Sequence, residues 1–241
     1  MEDSRKTYLI AGGNSGIGLA TVHRLAAAPD PCRIICAVRR PGPLEFLRGV
    51  ECLPFDATVA EPLSAAALPD RLDGLVYCPG TIELRPFSRL RDEDFQRDWE
   101  INFLGAVRLL RAALPALKKA GSGASVVLFS SVAAKIGLPF HASIAAAKGA
   151  VEALARSLAA ELAPAIRVNV LAPSLTDTPL AAPLLSTPEK AEAARQRHPL
   201  RAIGDPNDLA AAVEFLLGAE SVFLTGQVIA IDGGLSTLKP L

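Results

Sequence analysis

The chain has 241 residues, half of them hydrophobic, which is enough to bury one well-formed α/β core, and no break in composition divides residues 1–241 into two domains. Its 25 basic and 25 acidic side chains leave no net field to collect nucleic acid or an anionic membrane, so neither is expected as a partner. The four cysteines, Cys32, Cys36, Cys52 and Cys78, lie in or beside apolar runs without a C-x-x-C pair, which fits reduced core thiols rather than a disulfide frame or a metal site.

The start, Met1 to Lys6, is charged and has no apolar signal core behind it, and the Ala-rich stretch Ala142 to Ala163 is interrupted by Lys148, Glu152, Arg156 and Glu161. A cytoplasmic location is expected. The first strand, Thr7–Ala11, runs into three spaced glycines, Gly12, Gly16 and Gly18, and then into a helix over Ile17–Ala28. Glycines at such a turn reach φ > 0 and let the backbone approach a ligand, while the helix aims its unpaired N–H groups at an anion. The pattern is a phosphate cradle whose natural ligand is a dinucleotide, although G-x-x-x-G-x-G departs from the common G-x-G-x-x-G.

Strands follow at Arg33–Val38, Glu51–Phe55 and Gly74–Cys78, with a helical segment near Glu61–Ala67. A long helical pattern over Asp92–Lys119 precedes a strand at Ser125–Ser130. A helix at Ser143–Leu162 then leads to a strand at Arg167–Leu171. Helices at Glu189–Arg197 and Asn207–Gly218 and a last strand at Gln227–Ile231 complete the chain. This alternation predicts a doubly wound parallel sheet of about seven strands with helices on both faces. Ligands of such sheets bind beyond the carboxyl ends of the strands.

At those strand ends the sequence resembles the classical short-chain dehydrogenase/reductase family over nearly its whole length. Ala11 to Gly18 resembles the T-G-x-x-x-G-x-G loop, and Asp56 the acid at the adenine ring. Asn102 in I-N-F-L-G resembles the helix asparagine of the catalytic tetrad. Ser130-Ser131 matches the paired serines, of which the second is catalytic in the family. Pro173 to Thr178 resembles the segment at the nicotinamide, and Leu224-Thr225-Gly226-Gln227 with Asp232-Gly233-Gly234 the C-terminal signature. The resemblance implies a single Rossmann-type domain. It carries cofactor contacts onto Gly12, Asn14, Ser15, Gly16, Ile17, Gly18, Asp56, Ala57, Gly80, Lys148, Pro173, Thr176 and Thr178. No metal ligands are implied.

The end of the second strand bears on the cofactor. A carboxylate there would hold the ribose 2′-OH of NAD; the chain instead reads Ala37-Val38-Arg39-Arg40, two guanidinium forks suited to the 2′-phosphate of NADP. NADP(H) is expected in preference to NAD(H).

The proton-transfer site departs from the family's Y-x-x-x-K, because the chain reads Ile144-Ala145-Ala146-Ala147-Lys148. Ile144 has no ionisable atom, and positioned proton transfer is typically worth ~10²–10⁴-fold in rate. Three accounts stand open. His141, three residues before Ile144, donates the proton from the same face of a helix that extends back to it; Ser143 points elsewhere and reads as an N-cap. Alternatively, hydride passes to an acceptor that draws its proton from water or from itself. In the third account the chain binds NADP(H) without turnover, as a subunit or redox sensor. The presence of Asn102, Ser131 and Lys148 together favours a working oxidoreductase acting on a carbonyl or alcohol.

Leu180–Arg201, rich in Pro and Ala, reads as a substrate lid with an apolar mouth at Leu180, Leu184 and Leu185, suited to a neutral, ketoacyl-like or lipid-like compound; Arg195 and His198 offer charge to an acidic tail. Small residues surround the helix after Ser143, and Leu109, Leu110, Ala113, Leu114 and Leu117 line another, which the resemblance implies pair between subunits of a homodimer or homotetramer. Tyr77-Cys78-Pro79-Gly80 stands where the family has N-N-A-G, and Ser174 where it has a glycine, a place that narrows the nicotinamide end if it needs φ > 0.

Overall fold

The computed structural model describes residues 5–60 and 63–239. Within them the strands are β1 (Thr7–Ala11), β2 (Arg33–Val38), β3 (Val50–Pro54), β4 (Gly74–Tyr77), β5 (Ala124–Phe129), β6 (Ile166–Pro173) and β7 (Val228–Ile231). The helices are α1 (Gly16–Ala26), α2 (Asp92–Trp99), α3 (Gly105–Lys119), α4 (Ala142–Leu162), α5 (Pro188–Arg197) and α6 (Pro206–Leu217). All seven strands are parallel, in the order β3-β2-β1-β4-β5-β6-β7.

The continuous apolar runs of β1, β4 and β5 are buried along their length because both faces are covered. Leu9, Leu75, Val126 and Leu128 pack with Leu109 and Leu117 of α3 and Val151 and Ala155 of α4. Ile10, Val76 and Val127 face the other way, onto Val22 and Leu25 of α1 and Leu209 and Val213 of α6. Strand order reverses between β1 and β4, and the crevice this opens lies beyond their carboxyl ends. Of the cysteines, Cys36 alone is fully buried; Cys32 and Cys78 are half-buried, Cys52 is exposed, and all are free thiols.

Two helices read from the sequence are corrected. Of the segment near Glu61–Ala67, Glu61 and Pro62 lie outside the described residues, as do Met1 to Ser4, and Ala65–Ala67 forms a single 3-10 turn. Three alanines ahead of Leu68-Pro69 are too few to nucleate an α-helix, and the residue before proline avoids the helical region. The pattern over Asp92–Lys119 is two helices separated by a π turn at Glu100–Leu104.

That turn has a cause in tertiary contact. The Tyr77 hydroxyl donates to the carbonyl of Ile101 at 2.5 Å, entering the helical ladder, and Gly105 sits hard against Ala57 and Tyr77, where an added Cβ would lie 2.7 Å from the Ala57 Cβ. Burial pushes the Tyr77 phenol above its ordinary range, which keeps it a donor. Tyr77→Phe removes this bond at a cost of about 0.5–1.5 kcal/mol of stability. Urea unfolding with an unchanged midpoint would contradict this account of the turn.

Candidate active site

The phosphate cradle forms as its glycines require. Gly12 and Gly16 take φ of +73° and +51°, and a Cβ on Gly18 would collide with the Gly12 carbonyl. Ser15, in extended conformation, precedes α1 without capping it through its side chain, so the first N–H groups of α1 remain open to a ligand.

A cleft of about 720 Å³ runs from this loop. Gly12, Asn14, Ser15, Gly16, Ile17 and Gly18 wall it at one end, with Arg39, Asp56, Ala57, Gly80 and Thr178 along its sides. Arg39 and Arg40 also line an adjoining hollow with Asn14 and Asp56, and among the described residues neither guanidinium has an ion-pair partner. Asn14 Nδ2 donates to the Arg40 carbonyl at 2.9 Å, which joins the loop to the end of β2. Asp56 accepts from the backbone and hydroxyl of Thr58, and with Arg39 nearby its carboxyl is held below the usual range. A glycine cradle, open helix N–H groups and two unpaired guanidinium groups fit a phosphorylated dinucleotide.

Thr178 packs over Gly16, with its Cγ2 3.2 Å from the point a Cβ there would occupy. Thr176 is buried instead, bridged to Gly204 with its hydroxyl turned to the Ser174 carbonyl, and neither it nor Pro173 walls the cleft. Ser174 does not adopt positive φ, so the missing glycine imposes no strain. Pro79 packs on Gly12, and Cys78 N–H donates to the Ala11 carbonyl at 3.0 Å, so the turn forms without the asparagine pair.

Lys148 and Asn102 lie behind Gly80, which walls the cleft; neither they nor Ser131 and Ile144 line it themselves. Lys148 is buried; its Nζ donates to the Phe129 carbonyl at 2.9 Å, and burial pulls its pKa down to about 8. Asn102, in the π turn, donates through Nδ2 to Thr81 Oγ1 at 2.7 Å and to the Asp98 carbonyl at 2.8 Å, leaving Oδ1 buried and unpartnered. Both side chains face Gly80: a Cβ there would lie 3.3 Å from Asn102 Oδ1 and 3.7 Å from Lys148 Nζ. Ser131 opens the turn after β5, and its Oγ accepts from Ala133 N–H at 3.2 Å. Ile144 is 5% exposed and shares a helix face with Lys148.

Three expectations change. His141 is the N-cap of α4 rather than part of it, and its Nδ1 lies 2.7 Å from the Pro139 carbonyl. Phe140, at φ +71°, stops the helix from extending back, so the face shared with Ile144 and Lys148 does not form. Ser143 is no cap: it is buried inside α4 and donates to Asp98 Oδ2 at 2.6 Å. His198 is likewise buried, with its ring nitrogens 2.8 Å from the Ala194 carbonyl and 2.9 Å from Ser174 Oγ, so it offers nothing to an acidic tail; Arg195 pairs with Glu192 on the surface. The cluster of Thr81, Asp98 and Ser143 escaped the sequence reading, although Asp98 lies one helical turn before Asn102 and Thr81 directly follows Gly80.

Residues 53–236 match the model of a family described as Enoyl-(Acyl carrier protein) reductase. A tropinone reductase homolog of Arabidopsis thaliana is 34% identical over 242 residues, covering 95% of this chain and 92% of the relative. A short-chain type dehydrogenase/reductase from Mycobacterium ulcerans superposes with a TM-score of 0.87 at 30% identity, over 96% of this chain and 90% of that one. A structure described as ElxO with NADP bound superposes with a TM-score of 0.86 at 25% identity, over 97% of this chain and 100% of that one. If the contact between Gly18 and the Gly12 carbonyl shapes the cradle, Gly18→Ala lowers dinucleotide affinity on the order of tenfold or more in calorimetry.

Proposed function

The chain belongs to the short-chain dehydrogenase/reductase family, and from that premise we propose that it is an NADP(H)-dependent oxidoreductase passing hydride to or from a carbonyl or alcohol on a small apolar molecule, ketoacyl-like or lipid-like. The carrying observation is convergence on one cleft. The phosphate cradle closes one end, and Asn102 and Lys148 face the same wall residue, Gly80, at the other. The cofactor, when bound, supplies or accepts the hydride.

The chain's own residues do the rest. The glycine loop and the open turn of α1 hold the pyrophosphate, and Asp56 and Ala57 flank the adenosine end. Arg39 and Arg40 receive a 2′-phosphate, for which their unpaired forks are suited. The solved neighbour with NADP bound supports the same preference. Ser131 already accepts a backbone N–H, so its own proton is free to hydrogen-bond a substrate oxygen. Ile82 and Leu180, both partly exposed, give the cleft a hydrocarbon mouth, and the matched family model bears the name of a reductase of acyl carrier protein substrates.

A second copy of the chain is the proposed partner, through α3 and α4. Trp99, 41% exposed, and Phe103 stack with ring centroids 4.4 Å apart at the approach to α3. No helix of the described residues is long and apolar enough to cross a membrane, and the cytoplasm is the proposed location. Ile144 also favours a second reading, an NADP(H)-binding subunit or redox sensor without turnover.

Calorimetry and a panel of ketones, quinones and β-ketoacyl thioesters test the assignment. NADPH binds tightly, and Arg39→Ala with Arg40→Ala raises its dissociation constant by on the order of tenfold or more while NADH is little affected. Equal losses for both cofactors defeat the NADP preference. Tight binding without oxidation of NADPH by any compound favours the subunit or sensor.

A further inference from the structure

We propose that Asn14 is a positioning residue for cofactor discrimination: its amide ties the Arg39-Arg40 segment to the glycine loop, so that the seat for a 2′-phosphate stands at a set place relative to the phosphate cradle. The inference rests on the NADP(H) reading above. The sheet gives the arginine pair its direction but not its place. β2 ends at Val38, whose carbonyl accepts from Phe55 N–H at 3.1 Å, and the chain then runs through Arg39, Arg40 and Pro41 to Gly42 at φ +55°. Among the described residues, neither arginine takes part in a backbone-to-backbone hydrogen bond or an ion pair. What holds the segment is the bond from Asn14 Nδ2 to the Arg40 carbonyl at 2.9 Å.

A tether fixes its far end only if its near end is firm. Asn14 sits between Gly12 and Gly16, both at positive φ, in a loop seated on β2 itself. Gly12 N–H donates to the Ala37 carbonyl at 3.0 Å, and Gly13 lies so close to β2 that an added Cβ would come within 2.8 Å of Cys36 Sγ. The loop thus grips the strand from which the arginines depart, and Asn14 reaches across to the departing segment. Asn14 and Arg39 wall both the cleft and the adjoining hollow, which Arg40 also lines, so the tether stands where the two meet.

Discrimination follows from where the cost of ordering falls. A dinucleotide with a 2′-phosphate carries charge at two places whose spacing its covalent frame restricts, and a site with both seats preset loses little freedom on binding it. Without the tether the arginine segment must be ordered by the ligand, and that cost falls on the 2′-phosphate alone. NADH offers no such group to the arginines and is indifferent to their order. Asn14 therefore acts on the ratio of the two affinities, through Arg39 and Arg40.

The test is calorimetry of the full chain with NADPH and with NADH, joined to 15N relaxation of the cofactor-free chain. Asn14→Ala should raise the NADPH dissociation constant by about three- to tenfold and leave that for NADH nearly unchanged. In the chain that already carries Arg39→Ala and Arg40→Ala, the same substitution should do nothing further to NADPH, because no seat is left to position. Without cofactor, the backbone order parameters of Arg39 and Arg40 should fall in Asn14→Ala. Equal losses for both cofactors, an undiminished effect once both arginines are gone, or unchanged order parameters overturn the inference. If the arginine substitutions separate the two cofactors and Asn14→Ala does not, the inference falls and the NADP(H) reading stands; if the arginine substitutions weaken both cofactors alike, both fall.

Discussion

The backbone bond from Cys78 N–H to the Ala11 carbonyl ties the end of β4 to the end of β1 where the strand order reverses. A second, from Gly12 N–H to the Ala37 carbonyl, ties β1 to β2. With three strand ends fixed together, the glycine turn, the arginines after β2 and the Pro79-Gly80 turn have one direction left in which to project. They wall a common cleft, and α2, α3 and α4 need only bring Asn102 and Lys148 behind Gly80 to complete it. The site is thus a consequence of strand register, and its side chains are carried by backbone that the sheet holds rigid.

Most of this architecture was legible in the sequence because burial on both faces writes continuous apolar runs, and because glycines at Gly12 and Gly16 are demanded by positive φ. Strand limits moved by a residue or two, as with β3, which ends at Pro54 rather than Phe55. What the sequence concealed were events that depend on partners far along the chain. The break between α2 and α3 comes from the Tyr77 hydroxyl and the close seat of Gly105, neither visible in a helical period. The loop residues, Asp56 and Ala57 line the cleft, whereas Thr176 and His198 face inward because the turn after β6 satisfies them locally. Spacing alone also placed His141 on a helix that Phe140 does not allow to form.

The polar cluster behind the cleft illustrates the same limit. Thr81, Asp98, Asn102 and Ser143 come from a turn, α2, a π turn and α4, and each alone is an unremarkable surface-type residue. Brought together they satisfy one another, apart from the single amide oxygen of Asn102 that faces Lys148. Burying such a group costs free energy unless its neighbours supply hydrogen bonds, so the cluster survives as a unit rather than as separate contacts.

The bond between His198 and Ser174 fastens the far end of residues 180–201 to the sheet. His198 follows α5 directly, and its ring is clasped at the end of β6. The same ring lies 2.8 Å from the Ala194 carbonyl, so one buried imidazole joins the last turn of α5 to the strand end, and a shift of either drags the other with it.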